Sequence, residues 1–372
     1  MTDSGGFDSG PEVRVERAVA ELRAGRPVLL ASDSGPLAVL ALDATTPAVY
    51  DRFAALAGGG HALHLTRWRA ELLDIPGAAG VLVPLAGLSH AEAVTIGYGP
   101  IAEAKAVLPG VGPATPASTA ASELARLALL LPAVAVAPVA ERAGSESGMV
   151  KLGADDLELA RTGAGRRFEE VSRARVPLAE IGDTTFVVFR GGLAQRDQLA
   201  VIVGAPDLSG VVPVRLHSSC ITGDLFGSLK CDCGDQLRDG LRALHERGGG
   251  ILLYLDQEGR GTGIAAKMHA YGHQDAGLDT IEADAMLGFG PDGRGYDAAV
   301  AMLRGLGADR VDLLTNNPSK VEFLREAGID VVNRTPIFGQ VTPENRRYLR
   351  TKSERAGHLI EFGDDPGRDA AE

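Results

Sequence analysis

Apolar residues recur along this chain in two rhythms, a helical period and short continuous runs, and their alternation outlines the elements. In VRVERAVAELRAG, Val15, Ala18, Val19 and Leu22 share one helical face and Gly25 closes the segment, which predicts a helix. PVLLAS follows as a buried strand, and the alternation continues to about Arg161. The richest apolar stretch, LARLALLLPAVAVAPVA, is cut by Pro132 and Pro138 and predicts a core helix followed by a core strand. It falls short of a membrane span, which takes about 18 uninterrupted apolar residues. Farther on, TTFVVFR and LAVIVG read as paired strands. DQLRDGLRALHERGGG, ILLYL, AAKMHAYGHQDAG, YDAAVAMLRGLGA, RVDLLT, PSKVEFLREAG and IDVVNR then alternate helix and strand. No internal repeat or heptad array interrupts this order, and the fold class it predicts is α/β, mixed α+β, in two domains. RTGAGRRFEEVSRARVP, rich in Gly and Arg, predicts a linker over residues 163–177 between domains at 12–162 and 178–362. The polar ends, 1–11 and 364–372, are expected to be disordered.

A length of 372 residues agrees with two cores rather than one. The hydrophobic fraction of 45% and charged fraction of 23% are those of a globular protein. A net charge of −12 argues against a nucleic-acid partner, which needs a basic footprint, but leaves room for a small anion in a local basic pocket. The N-terminus MTDSGGFDSGPE has neither a basic start nor an apolar core of a secretory signal. With an odd number of cysteines, this predicts a reducing cytoplasm and no membrane partner.

All three cysteines, Cys220, Cys231 and Cys233, crowd into CITGDLFGSLKCDC. The surroundings rich in Gly, Ser and Asp are loop chemistry, which favours thiolate ligands of a metal over buried reduced thiols. Zinc accepts such ligands readily. A closed structural site needs a fourth donor, for which His217 is available; an open one keeps a place for an activated water, hence hydrolysis.

Three other stretches suit an anion. DQEGRGTGIAAK combines bare glycine amides with Arg260 and Lys267. In RVDLLTNNPSKVEFLREAG a strand ends at Thr315, Asn317 is an expected N-cap, Pro318 opens the helix and Lys320 lies in its first turn. PDGRGYD is a glycine-rich loop carrying Asp292 and Arg294.

Together, RLHSSCITGDLFGSLKCDCGDQL, QEGRGTGIAAKMHAYGHQDAGLDTIEAD, LGFGPDGRGYD and LLTNNPSKV resemble GTP cyclohydrolase II, the first enzyme of riboflavin synthesis, from about Arg175 to Phe362. The resemblance implies one Zn2+ on Cys220, Cys231 and Cys233 with water completing its shell, and GTP as substrate with Mg2+ on its triphosphate. Hydrolysis would open the imidazole ring, release C8 as formate and pyrophosphate from the triphosphate, and leave 2,5-diamino-6-(5-phosphoribosylamino)pyrimidin-4-one. It implies catalytic roles for Asp292, Arg294 and Tyr271. It implies nucleotide contacts from Arg215, His217, Ser218, Ser219, Gln236, Glu258, Gly259, Arg260, Thr280, Thr315 and Lys320, and a homodimer. Ser219 stands where the family has Glu, Asp256 where a basic residue commonly precedes QEGRG, and Gly295 where an acid often follows the arginine. A cyclohydrolase with an altered nucleotide or product, or a zinc-stabilised nucleotide-binding regulator without turnover, are the competing readings.

The N-terminal half resembles 3,4-dihydroxy-2-butanone 4-phosphate synthase through VERAVAELRAGRPVLLASD, HALHLTRWRAELLDIP and TPASTAASELARLALLLPAVAVAPV. That enzyme holds magnesium and a sugar phosphate on an acidic run after its first strand. SDSGPLAVLA offers only Asp33 there before Asp43, and ATPASTAASELA lacks the histidine that precedes the later helix. The expectation is a domain that has lost its chemistry, with His61, His64 and Trp68 in structural roles.

Overall fold

The computed structural model describes residues 10–77, 79–140, 147–162, 167–193, 196–290, 293–337 and 350. Residues 1–9 of the expected N-terminal tail, the expected C-terminal tail at 364–372, and Asp292 lie outside them. Pro11, assigned to that tail, instead opens the first helix.

The chain divides into two compact units. One comprises Met1–Arg167, Gly191–Arg196 and Gly259–Arg294, the other Phe168–Arg190, Asp197–Glu258 and Gly295–Glu372.

The first unit is built on a sheet of strands ordered β5-β4-β3-β6-β2-β1-β7. These are β1 (Val28–Ser32), β2 (Gly35–Ala41), β3 (Ala62–Leu65), β4 (Val81–Pro84), β5 (Gly112–Pro113), β6 (Val134–Pro138) and β7 (Lys151–Gly153). β1 and β2 form a tight antiparallel hairpin in which Val28 faces Val39 and Ser32 faces Gly35. Strand alternation sends Val28, Leu30, Val39 and Ala41 to one face. There they meet α1 (Pro11–Arg23), α6 (Pro116–Leu127) and α7 (Ala154–Thr162). Leu29, Ala38 and Leu40 go to the opposite face, under α2 (Pro47–Leu56), α3 (Arg67–Leu72), α4 (His90–Tyr98) and α5 (Ile101–Val107). The face read for the first helix is the buried one, with Val15, Ala18, Val19 and Leu22 inside.

The second unit carries a sheet ordered β14-β13-β11-β12-β10-β9-β8. Its strands are β8 (Phe168–Arg175), β9 (Thr184–Gly191), β10 (Arg196–Gly204), β11 (Val212–Ser218), β12 (Gly249–Leu255), β13 (Arg310–Leu314) and β14 (Asp330–Thr335). The pairs β11–β12, β11–β13 and β13–β14 are parallel, while β10 joins β12 antiparallel. One face packs Val214, Leu216, Ile251 and Leu253 against Met302 and Leu303 of α12 (Asp297–Leu306) and Leu324 of α13 (Pro318–Glu326). On the other face Leu252 and Val201 meet Leu237, Leu241 and Leu244 of α9 (Cys233–Glu246). A short α8 (Ile221–Asp224) lies between β11 and α9.

Two expectations about organisation change. Residues 168–175, placed in the linker, form the edge strand β8, whose side chains are mostly exposed and include Glu169, Glu170, Arg173 and Arg175. A charged edge strand has no buried face to produce apolar alternation, and charge is how edges avoid pairing with other chains. The second domain is also not one continuous block. α10 (Ile264–Asp275) and α11 (Thr280–Met286) bury Ala266, Ala270, Ala283, Leu287 and Phe289 with Leu131 in a core of the first unit.

The interior of the first unit contains two opposed titrations. Burial pulls the His64 imidazole down to about 4, with Nδ1 3.1 Å from Ser118 Oγ. The fold thus favours the neutral ring; this contribution is intact above the ordinary value near 6.5 and is lost as pH falls toward 4. Burial lifts the Asp43 carboxyl to about 6, so its contribution is present in acid and lost as pH rises through that value. Chemical denaturation at pH 6.5 and 4.5 separates them. His64→Gln should lose about 2 kcal/mol less stability on acidification than the parent chain, because Asp43 is common to both.

Candidate functional site

Three adjacent parallel strands of the second unit, β13, β11 and β12, end side by side, and the residues that follow each carry polar chemistry. Ser219 and Cys220 follow β11, Gln257 and Glu258 follow β12, and Thr315 to Asn317 follow β13. In parallel α/β sheets the carboxyl ends of strands are where loops can form a site, since helices occupy the faces.

The cysteines converge there. The sulfurs of Cys220, Cys231 and Cys233 all lie within 4.8 Å of one another, and those of Cys220 and Cys231 are 3.7 Å apart. This proximity depends on two glycines. A Cβ at Gly223 would stand 2.9 Å from the Cys231 sulfur and 3.2 Å from that of Cys220, and one at Gly234 would meet the Gly223 carbonyl at 2.3 Å. The Cys231 thiol is pushed up, foremost by the Cys220 sulfur beside it. Sulfurs packed so closely repel as anions, and a cation among them removes that cost. The donor set therefore fits a thiophilic metal ion.

A buried network secures the loop from behind. Asp224 accepts from the Cys220 amide at 2.9 Å, from Tyr254 Oη at 2.8 Å, and from His217 Nε2 at 3.1 and 3.2 Å. The His217 and Tyr254 rings stack at 5.5 Å. Burial pulls the His217 imidazole down, with Asp224 opposing it, and burial pushes the Tyr254 phenol up. His217, the available fourth donor in the sequence, thus turns to Asp224. Among the described residues the metal-competent group is the three cysteines alone.

The other sequence-derived residues of this unit line the same strand ends. Ser218 Oγ donates to Gln257 Oε1 at 3.1 Å, and Ser219 Oγ accepts from the Gln257 amide at 3.1 Å. Glu258 accepts from the Ile221 amide at 2.6 Å, tying the β12 loop to the cysteine loop. Arg215 is buried, donating to the Leu314 carbonyl at 3.1 Å and to Gln236 Oε1 at 2.7 Å; burial pulls it down to about 10. Asn317 caps α13 as read, its Oδ1 accepting from the Ser319 amide at 2.9 Å. Buried Thr315 accepts from the Asn317 amide at 3.1 Å, and Lys320 Nζ donates to the Leu216 carbonyl at 2.8 Å.

Gly259, Arg260, Tyr271, Thr280 and Arg294 belong to the first unit. Gly259 and Arg260 both adopt left-handed backbone, with φ of 63° and 62°. For arginine that is a strained conformation. Arg260 Nη1 pairs with Asp284 Oδ2 at 2.9 Å. Arg294 lies against this turn, since a Cβ on Gly261 would come 3.9 Å from its Cγ. Tyr271 is half-buried on α10 with Lys267 Nζ 5.7 Å from its ring centre, and Thr280 opens α11 behind the Asp279 cap.

In the N-terminal half Asp33 is exposed in the β1–β2 turn, and Asp43 accepts from the Leu131 amide at 2.9 Å inside the fold. His61 Nε2 lies 3.3 Å from Tyr50 Oη, both side chains buried, and Arg67 stacks on Trp68 at 4.0 Å. His61 and Trp68 thus make their contacts within the first unit.

Three thiols gathered at the carboxyl edge of a parallel sheet define a mixed α/β protein with a metal-competent site. The family description GTP cyclohydrolase II matches residues 169–336. A GTP cyclohydrolase-2 from Xylella fastidiosa (strain 9a5c) is 53% identical over 373 residues, covering 96% of this chain and 89% of that protein. One from Escherichia coli (strain K12 / DH10B) is 45% identical over 196 residues, covering 52% of this chain and 98% of that protein. Among solved structures, RibBX, a two-domain 3,4-dihydroxy-2-butanone 4-phosphate synthase from A. baumannii, aligns at 20% identity with a TM-score of 0.35, covering 88% of this chain and 100% of that one. The chain belongs to the GTP cyclohydrolase II family, hydrolases of riboflavin biosynthesis.

Sequence reading missed Asp224, Tyr254 and Asp284. The local cue for Asp224 was an acid four residues after a cysteine in CITGD; its partner Tyr254 comes from the neighbouring strand and leaves no such cue. Asp224→Ala should weaken metal retention by roughly tenfold or more, as loss of an outer partner of a ligand typically does, and Tyr254→Phe by less. Metal per chain after a chelator challenge, read by mass spectrometry, checks this; equal retention in parent and both variants refutes it.

Proposed function

We propose that this chain is a zinc-dependent GTP cyclohydrolase II, opening the guanine imidazole ring of GTP and releasing formate and pyrophosphate. The observation that supports it most is the three-sulfur cluster with no histidine closing it among the described residues. Cys220, Cys231 and Cys233 would hold zinc, which would supply Lewis-acid activation of water for the hydrolysis. Asp224, His217 and Tyr254 fix the ligand loop, while Arg215 and Gln236 brace the strand ends beneath it.

By similarity to the family motifs, Ser218, Ser219, Gln236, Glu258, Gly259, Arg260, Thr280, Thr315 and Lys320 contact the nucleotide, with Arg215 and His217 behind them. Lys320, in the first turn of α13, suits the triphosphate together with Mg2+. Tyr271 orients the base or water at the ring. Arg294 clamps the α-phosphoryl group while water attacks the phosphorus, Asp292 accepting the water's proton as pyrophosphate departs. A homodimer in the cytoplasm completes the reading. The N-terminal half is a scaffold without synthase activity: Asp33 stands alone in its turn and Asp43 is engaged by Leu131.

Incubation with GTP, Zn2+ and Mg2+ should give formate, pyrophosphate and the diaminopyrimidinone by mass spectrometry. Cys231→Ser should lose zinc and ring opening together; ring opening by a metal-free variant would refute the zinc assignment. Ring-opened product that retains formate would mark an altered enzyme, and binding without products a regulator. Ribulose 5-phosphate should remain unconsumed.

A further inference from the structure

Arg69 on α3 is a fully buried side chain, 1% exposed, whose hydrogen bonds run to main-chain carbonyls. Its guanidinium donates to the carbonyls of Ile96 at 3.0 Å, Thr95 at 3.1 Å, Gly99 at 2.7 Å and Met286 at 3.2 Å, with Met286 Sδ at 3.6 Å. Burying a cation without a carboxylate is unfavourable unless every N–H finds an acceptor. Here the acceptors are the carboxyl ends of two helices, α4 and α11, where the helix dipole also favours positive charge.

The contact with α11 is one of three in succession. Thr66 Oγ1, just ahead of α3, donates to the Gly288 carbonyl at 2.7 Å. Gly290 passes so close to Trp68 that a Cβ there would stand 2.7 Å from the indole nitrogen. Thr66, Trp68 and Arg69 thus grip Met286, Gly288 and Gly290. α11 also carries Asp284, which pairs with the guanidinium of left-handed Arg260 at 2.9 Å. One helical turn joins the two, from Arg69 through Met286 and Asp284 to Arg260.

We infer that Arg69, with Thr66 and Trp68, is a positioning device through which the N-terminal half sets Arg260 for the nucleotide. The half of the chain without chemistry of its own serves the cyclohydrolase by holding the segment Gly259–Arg294. This rests on the proposed assignment of Arg260 to nucleotide contact. Arg69 itself touches no reacting atom and acts only through α11.

The test uses the full-length zinc-loaded protein. Arg69→Lys keeps the charge and loses the fork; it should raise KM for GTP on the order of tenfold, leaving kcat within about twofold and zinc per chain unchanged. In a double-mutant cycle with Arg260→Ala, the two KM effects should fall well short of multiplying, since one acts through the other. Hydrogen exchange across 259–290 should rise in Arg69→Lys, with the cysteine loop unchanged. Thr66→Val, a single lost hydrogen bond, should shift KM and exchange in the same direction by about threefold and stands in if Arg69→Lys does not fold. Unchanged exchange in this segment, an unchanged KM, or fully multiplicative effects overturn the inference. A parent chain inactive on GTP, or an Arg260→Ala variant with parental KM, overturns instead the functional reading beneath it, and the exchange measurement still reads the grip alone.

Discussion

Close packing of three sulfurs is the constraint around which the second unit is arranged. Thiols held within 4.8 Å of one another are costly as anions and favourable as ligands, so the loop requires both room and restraint. Room comes from Gly223 and Gly234, where any side chain would strike a sulfur or a carbonyl. Restraint comes from Asp224, which takes up the Cys220 amide and is itself fixed by Tyr254 and His217 from the two central parallel strands. Glu258 adds a tie from the end of β12 to the first amide after Cys220. The metal-competent loop is thereby tied by hydrogen bonds to the ends of the central strands.

The same strand ends account for the polar residues around the loop. Parallel pairing of β13, β11 and β12 leaves three carboxyl ends in a row, and helix α13 presents its capped amino end beside them. Arg215 and Lys320 spend hydrogen bonds on carbonyls of neighbouring strands, Leu314 and Leu216. In a chain with a net charge of −12, these two cations thus also brace the fold at the strand ends.

Much of this was legible in the sequence because local physics decides it. The buried face of α1, the capped start of α13 and the helix-then-strand reading of LARLALLLPAVAVAPVA follow from periodicity and cap chemistry, and they form as read. Three cysteines in one polar loop announced a metal-competent cluster, and their sulfurs do converge. What escaped depends on distant partners. β8 is a charged edge with no buried stripe, so it reads as linker. α10 and α11 bury mostly alanine, a weak periodic signal that says nothing of Leu131, more than a hundred residues upstream. Arg69 reads as an ordinary surface cation in HLTRWRAELL, and only tertiary structure reveals its carbonyl cage.

The path of the chain between its two units has a mechanical consequence. It crosses from one to the other at 167/168, 190/191, 196/197, 258/259 and 294/295. A protease nick at 167/168 leaves no covalent link between the two fragments, so only noncovalent contacts can hold them together. Scission after Arg167, which would release a simple two-domain protein into halves, would here leave Ala266, Ala270, Ala283 and Phe289 attached to the far fragment and still seated on Leu131 of the near one. The two units are interleaved along the chain rather than strung in series.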